Sequence, residues 1–262
     1  IITDPTLHAT WLQKARDDYD YRNNRLADMT DESVEEFYSC TLCQSFAPTH
    51  LCLVSPQRLG LCGAYNYLDC AASYQINPTG PNQPIRKGMM IDREKGIYAG
   101  LNEIAQQKSN GTVQEVAMYS IMNAPMTACG CFECIVMLIP EANGVMVVSR
   151  EDTSMTPAGM TFSTLAGMAG GGLQTPGVMG IGKYYLTSPK FISADGGFSR
   201  VVWMSSVLKQ TMAAELQAVC EREGDPDLLS KIADETICTD VDGLLAHLEA
   251  TGHPSLMMEP MF

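Results

Sequence analysis

Apolar positions near the start recur at helical spacing. Leu7, Trp11, Leu12 and Ala15 share one face while Asp17, Asp18 and Asp20 lie elsewhere, which predicts a helix over residues 5–25. A second helix is expected from Thr30 as N-cap into Cys40, with Asp31, Glu32, Glu35 and Glu36 in the turns where the helix dipole favours negative charge. Ser33 stands where a capping box wants Glu or Gln, leaving that motif incomplete. Between residues 41 and 88 the periodicity is lost, because prolines 48, 56, 78, 81 and 84 and scattered glycines break it. Helical spacing returns over 93–107 and stops at Asn110-Gly111. Residues 113–121 alternate as a strand would, delivering the chain through Pro125 to Cys129. Further strands are expected at 144–149, 183–187 and 201–204, and helices at 207–223, 228–234 and 241–250. The pattern contains no internal repeat. It predicts an α+β (or α/β) fold, one mixed β-sheet flanked by helices with a long irregular loop region, and leaves the strand order open.

Composition narrows the function. The 262 residues carry 30 acidic against 17 basic side chains, a formal net charge of -13. That disfavours nucleic acid, whose phosphates need a basic surface, and makes the chain alone a poor receptor for a polyanion. The plainest reading of the acidity is a solvated surface. The sequence opens on Ile1, with no basic segment and apolar run of a signal peptide, and looks like the cut edge of a longer protein. No apolar stretch reaches the ~20 residues that a membrane helix needs. Ten cysteines without a secretion signal point to a reducing, cytoplasmic setting, where spaced cysteines bind metal more often than they form disulfides. The 17 methionines, among them Met89, Met90, Met118, Met122 and Met126, read as adaptable core filler.

Cys40-Thr-Leu-Cys43, Cys52 and Cys62 place four thiols on loop-rich chain. Such a set suits the four corners of a 4Fe-4S cubane, and a structural zinc site or four free thiols fit the same spacing. Cys129-Gly130-Cys131 is a second block. Its two sulfurs, with the deprotonated backbone nitrogens of Gly130 and Cys131, can offer one metal four donors in a plane. A planar N2S2 field suits Ni(II) or Cu(II), whereas zinc prefers a tetrahedron. Glycine between the cysteines offers no Cβ to obstruct the tight path. A lone Cys-Gly-Cys arises by coincidence, but beside a four-cysteine block that reading loses ground.

The runs Cys40-Thr-Leu-Cys-Gln-Ser-Phe-Ala-Pro-Thr-His-Leu-Cys52, Arg58-Leu-Gly-Leu-Cys-Gly-Ala64 and Met126-Thr-Ala-Cys-Gly-Cys-Phe-Glu-Cys134 resemble the C-terminal, A-cluster-bearing domain of CO-methylating acetyl-CoA synthase. Glu141-Ala-Asn-Gly144, Gly159-Met-Thr-Phe-Ser-Thr-Leu-Ala-Gly167 and Lys190-Phe-Ile-Ser-Ala-Asp-Gly-Gly197 extend the resemblance along nearly the whole chain. It implies that Cys40, Cys43, Cys52 and Cys62 hold a 4Fe-4S cubane. Cys43 would also bridge to a proximal nickel, and Cys129, Gly130 and Cys131 would bind a distal nickel and share their sulfurs with the proximal one. Methyl from a corrinoid iron–sulfur protein and CO from a CO dehydrogenase subunit would combine at the open proximal position, and coenzyme A would release the acetyl group. Phe46 would sit over that position and gate it. The resemblance further implies N-terminal domains that dock on CO dehydrogenase and bind coenzyme A, neither of them within these residues, with residues 1–12 as a residual linker and 13–262 as the catalytic domain.

The remaining candidates receive bland readings. His50 is read as a cap or loop contact rather than a ligand, and Cys70, Cys134, Cys220 and Cys238 as plain thiols. Gly170-Gly171-Gly172 and Gly180-Ile-Gly182-Lys183 lack the Lys-Ser/Thr ending of a phosphate loop, so close backbone packing is expected. Two rival classes remain open: an iron–sulfur electron-transfer or assembly module, and a zinc-stabilised binding domain.

Overall fold

The computed structural model describes residues 2–45 and 47–262. Helix α1 (Pro5–Asn24) starts where Asp4 accepts a hydrogen bond from the Leu7 amide and Pro5 supplies the first helical residue. It buries none of its residues, and Trp11 remains half exposed. The helix expected from Thr30 does not form. Asp31–Ser33 make one 3-10 turn, after which the chain becomes strand β1 (Glu36–Cys40). Ser33 completes the capping box after all, since its hydroxyl accepts from the Thr30 amide while Thr30 Oγ1 accepts from the Ser33 amide. The acidic turn that suggested a dipole-capped helix has another use. Asp31 is fully buried, held by Tyr119 Oη at 2.9 Å and the Gln57 amide at 3.0 Å, and its burial pushes the carboxyl pKa up.

The stretch expected to be irregular contains strand β2 (Cys52–Val54), helix α2 (Tyr67–Ile76) and strand β3 (Asn82–Arg86). Asn66 and Asp69 close a capping box at the start of α2. Strands β2, β1 and β3 form an antiparallel sheet in that order. A two-stranded ladder, β4 (Met90–Asp92) and β5 (Ile97–Tyr98), then takes the first turns of the next expected helix, so α3 runs only over Ala99–Lys108. Asn110 and Gly111 both adopt positive φ after it, as the stop signal predicted. Residues 113–121 form no strand. Their amides find scattered partners instead, among them Asn102 Oδ1 for Val116 and Asp195 Oδ2 for Ile121.

The third sheet is built from β6 (Cys134–Ile139), β7 (Gly144–Ser149), β8 (Val178–Ile181) and β9 (Val201–Met204), with helix α4 (Phe162–Ala169) before β8. Its order is β8-β6-β7-β9, antiparallel except for the parallel β7–β9 pair. The single mixed sheet expected from the pattern is therefore three sheets, one of them mixed. Residues 183–187, expected as a strand, form a 3-10 turn. The chain closes with α5 (Ser206–Thr211), α6 (Ala213–Glu223), α7 (Leu228–Lys231) and α8 (Val241–Thr251). Met118 and Met126 are core residues as expected, while Met89 is largely exposed. One of the two apolar clusters joins Cys40, Cys52 and Leu61 to Phe132, Ile135 and Trp203. The first and third sheets meet there.

Candidate metal centre

Strand pairing brings the first two cysteines together. In the β1–β2 ladder Cys40 stands directly opposite Cys52. Both thiols are buried, and burial raises both pKa values, that of Cys52 to about 12. Cys43 lies three residues past the end of β1 on a 3-10 turn, with its carbonyl accepting from the Ala47 amide at 3.1 Å. Cys62 projects from a tight turn in which the Gly63 amide donates to Gly60 O at 2.9 Å. Buried Arg58 fixes the approach to that turn: its guanidinium stacks on the Tyr185 ring at 4.3 Å and donates to Met118 O.

Contacts of backbone and side chain join the segments of the second block to those of the first. The Glu133 amide donates to Leu61 O at 3.2 Å. Thr127 Oγ1 accepts from the Leu51 amide at 3.3 Å and lies 2.9 Å from His50 Nδ1. Gly172, with φ of +77°, packs so closely on Thr49 that an added Cβ would lie 2.3 Å from Thr49 Oγ1. Gly170-Gly171-Gly172 thus serves close backbone packing, and the Gly172 amide donates to Ala128 O at 2.8 Å.

Between these supports the Cys-Gly-Cys loop curls on itself. Gly130 has φ of +128°, a conformation L side chains rarely adopt. An added Cβ there would meet nothing within 4 Å, so backbone conformation rather than crowding is the reason for glycine. Cys129 and Cys131 sulfurs lie 2.8 Å apart, and the Cys131 amide points at Cys129 Sγ at 3.3 Å. Cys43 Sγ reaches across to Cys131 Sγ at 3.5 Å. The three sulfurs of Cys43, Cys129 and Cys131 all lie within 4.8 Å of one another. With Gly130 they line a cavity of about 340 Å3.

Titration couples the cysteines. A hydrogen bond from Cys131 holds Cys129 well below the ordinary thiol range, His50 adding to the effect, and raises Cys131 far above it. A hydrogen bond from Cys131 likewise draws Cys62 down to about 6, whereas Cys43 is raised, chiefly by burial. One S–H serves one sulfur at a time, so the protons are shared across the group rather than owned by single residues. Crowded thiols that resist simultaneous ionisation suit cations, which replace the protons and remove the repulsion.

The sulfurs of Cys43, Cys129 and Cys131 form a donor set that suits a thiophilic metal. Cys40 and Cys52 face each other across a ladder, Cys62 interacts with Cys131, and Cys43 reaches the second block through its sulfur. Two sulfurs and two adjacent peptide nitrogens lie on one curled tripeptide. Phe46 lies outside the described residues. His50 makes the expected loop contact through Nδ1, and it is also buried among the site's supports with Nε2 unpartnered among the described residues. Cys70, Cys134, Cys220 and Cys238 are buried, Cys70 with its thiol donating to Asn82 Oδ1 beside Cys40. Sequence reasoning missed Thr127 and Arg150, and read Gly171 only as part of a close-packed glycine run.

Relatives place this geometry in a family. The model of the C-terminal region of the ACS/CODH beta subunit matches residues 19–262. The chain is 52% identical over 262 residues to the carbon monoxide dehydrogenase/acetyl-CoA synthase subunit alpha of Moorella thermoacetica, covering all of this chain and 36% of that protein. It is 47% identical over 243 residues to the acetyl-CoA decarbonylase/synthase complex subunit beta 2 of Methanosarcina acetivorans, covering 93% of this chain and 50% of that one. A solved C-terminal domain of an acetyl-coenzyme A synthase alpha subunit is 53% identical, with a TM-score of 0.49, over 52% of this chain and 100% of that domain. The chain spans between about a third and a half of the length of these two full-length relatives. It belongs to the family formed by the C-terminal region of the ACS/CODH beta subunit.

Proposed function

We propose that this chain is the metal-holding catalytic domain of a CO-methylating acetyl-CoA synthase, with residues 13–262 carrying a Ni-Ni-4Fe-4S centre and residues 1–12 leading into it. One observation carries the reading: Cys43 and the Cys129–Cys131 pair, 86 or more positions apart in sequence, line the same cavity with their sulfurs in reach of one another. Cys40, Cys43, Cys52 and Cys62 would hold the cubane, and Cys129, Gly130 and Cys131 the distal nickel, with Cys43, Cys129 and Cys131 sharing sulfurs with the proximal nickel. When bound, this centre would supply the organometallic joining of a methyl group to CO.

The chain's own residues have definite tasks in that scheme. Cys43 reaches from the first block to the second, so that one sulfur can serve two metals. Cys129 and Cys131 would hold metal as thiolates, giving up their thiol protons. The cavity beside them is wide enough for small gaseous and one-carbon ligands. Phe46 would gate it, as the resemblance implies. A corrinoid iron–sulfur protein as methyl donor, a CO dehydrogenase subunit as source of CO, and coenzyme A as acetyl acceptor complete the reading, in a cytoplasmic setting.

Anaerobic reconstitution with iron, sulfide and nickel is the test. The chain should take up about four iron and up to two nickel. Uptake of iron with none of nickel would overturn the reading and favour an electron-transfer module. Zinc alone, with no cubane absorbance, would favour a binding domain.

A further inference from the structure

Both peptide oxygens of the Cys129-Gly130-Cys131 loop receive a hydrogen bond from outside it. The Gly171 N–H donates to Cys129 O at 3.3 Å, and Arg150 Nη2 donates to Gly130 O at 2.5 Å. The partners of those oxygens matter. Cys129 O shares its peptide group with the nitrogen of Gly130, and Gly130 O shares its group with the nitrogen of Cys131. These are the two nitrogens that a planar N2S2 metal would use.

The peptide bond is conjugated, so charge placed on its nitrogen spreads to its oxygen. Counted from the fully protonated loop, an entering Ni(II) ion displaces two thiol protons and two peptide N–H protons. Four protons leave to water, no electron moves, and the NiN2S2 unit carries a net charge of -2. Two thiolates hold part of that charge, and the two peptide oxygens share the rest. We propose that Arg150, helped by the Gly171 N–H, is a clamp for the charge on these oxygens and thereby sets the affinity of the Cys-Gly-Cys loop for nickel. The proposal rests on the planar-site reading above.

The fold explains how an arginine comes to stand there. Strands β6 and β7 pair Cys134 with Ser149, and the ladder continues one step further, the Arg150 amide donating to Glu133 O at 2.9 Å. Arg150 is therefore opposite a residue only two positions past Cys131. Its guanidinium turns back over the Phe132 ring at 5.8 Å, which aims the fork at Gly130. Glu133, Glu151 and Lys183 line the same cavity of about 200 Å3. Glu133 is engaged by the Lys183 amide at 3.0 Å, and among the described residues neither glutamate forms an ion pair with Arg150. The cation is left to the peptide oxygen. Donors fixed in advance where charge will develop are the arrangement that stabilises oxyanions in acyl-transfer sites, and a charged donor roughly doubles the strength of each bond.

An arginine that merely propped the loop would look similar, and the choice of metal separates the two roles. Zinc takes the thiolates in a tetrahedron and leaves the peptide protons in place. Charge on the peptide oxygens is then small, and Arg150 should not matter to it. The experiment titrates the full chain, with its iron and sulfide restored, against Ni(II) alone and against Zn(II) alone under anaerobic conditions. Arg150→Met should weaken nickel binding at the planar site by roughly 10–100-fold, the usual effect of removing a partner of a metal ligand. Arg150→Lys should recover part of the loss, since it keeps the charge but not the fork. Zinc affinity should be the same in all three proteins. Arg150 is exposed, so these variants should fold, and equal iron content would verify it. Equal nickel affinity in the wild type and Arg150→Met overturns the clamp, as does an equal fall for nickel and zinc. A wild-type chain that takes up no planar nickel would sink the planar-site reading itself, a result distinguishable from the other two.

Discussion

Thr127 contributes one oxygen to the centre's support, and that atom holds the Cys52 segment against the Cys129 segment. No spacing rule could have found it. The cysteines were legible because thiols at short, uneven intervals have few uses in a reducing compartment. Thr127 and Arg150 act through pairings between distant segments, which leave no local pattern. His50 shows the same limit, since whether it caps a loop or faces a sulfur depends on the side from which Thr127 approaches. The division into two cysteine blocks can be tested at one atom. Cys131→Ser removes one sulfur of the proposed planar set and none of the four proposed cubane ligands, so nickel uptake at Cys129–Cys131 should be lost while iron content and cubane absorbance stay near normal. The test is a demanding one, because Cys131 also interacts with Cys62 and Cys43 in the folded chain. Loss of iron in step with nickel would contradict the assignment.

Among the elements, those with clear periodicity were read correctly, and those with no alternation or with a misleading start signal were not. Strands β7 and β9 and helices α6 and α8 appear close to where periodicity placed them. Strand β6 was missed, because Cys-Ile-Val-Met-Leu-Ile is apolar throughout, with neighbours on both edges, and shows no alternation. Strand β1 was read as helix because the acidic turn before it imitated a helix start; Phe37 and Tyr38 packing into a central strand outweighed that local signal. The last turn illustrates an element held by one titratable ring. His253 Nε2 lies 2.9 Å from Val201 O on β9, and Nδ1 accepts from the Ser255 amide at 3.2 Å. A carbonyl on one nitrogen and an N–H on the other require the neutral ring. Burial lowers its pKa to about 4 from 6.5. Between those values the unfolded chain binds the proton and the folded chain does not. Stability from this contact is therefore complete above about pH 6.5 and is lost as pH falls toward about 4, by roughly 3 kcal/mol in all. Thermal unfolding across that range should show the decline, and His253→Gln should flatten it while lowering stability at neutral pH. An unchanged pH slope in the variant would assign the acid sensitivity to the carboxylates.

At the scale of the whole molecule, the first and third sheets meet at a centre rich in thiols, in a chain of strongly negative formal charge. Such a body can hold cations well and polyanions poorly. Apart from Lys14 with Arg16 on the exposed helix α1, the basic residues within two positions of one another are Arg86-Lys87 and Arg93 with Lys95. The fold disperses them further: Lys87 is buried with Nζ on Asp31 O at 2.8 Å, Arg86 shares its surroundings with Glu35 and Glu36, and Lys95 lies 3.8 Å from Asp92. Coenzyme A carries phosphates that basic side chains usually hold by charge-assisted hydrogen bonds, each worth roughly 1.5–3 kcal/mol. Every 1.4 kcal/mol forgone weakens binding about tenfold, so lacking even two or three such bonds raises the dissociation constant by orders of magnitude. The isolated chain, loaded with its metals, should therefore bind CO and accept a methyl group but associate with coenzyme A only weakly. Acetyl transfer to coenzyme A should be slow, or should need high concentrations of it. Calorimetry is the direct measurement. A dissociation constant in the micromolar range for coenzyme A and this chain alone would overturn the expectation and locate the binding surface within these 262 residues.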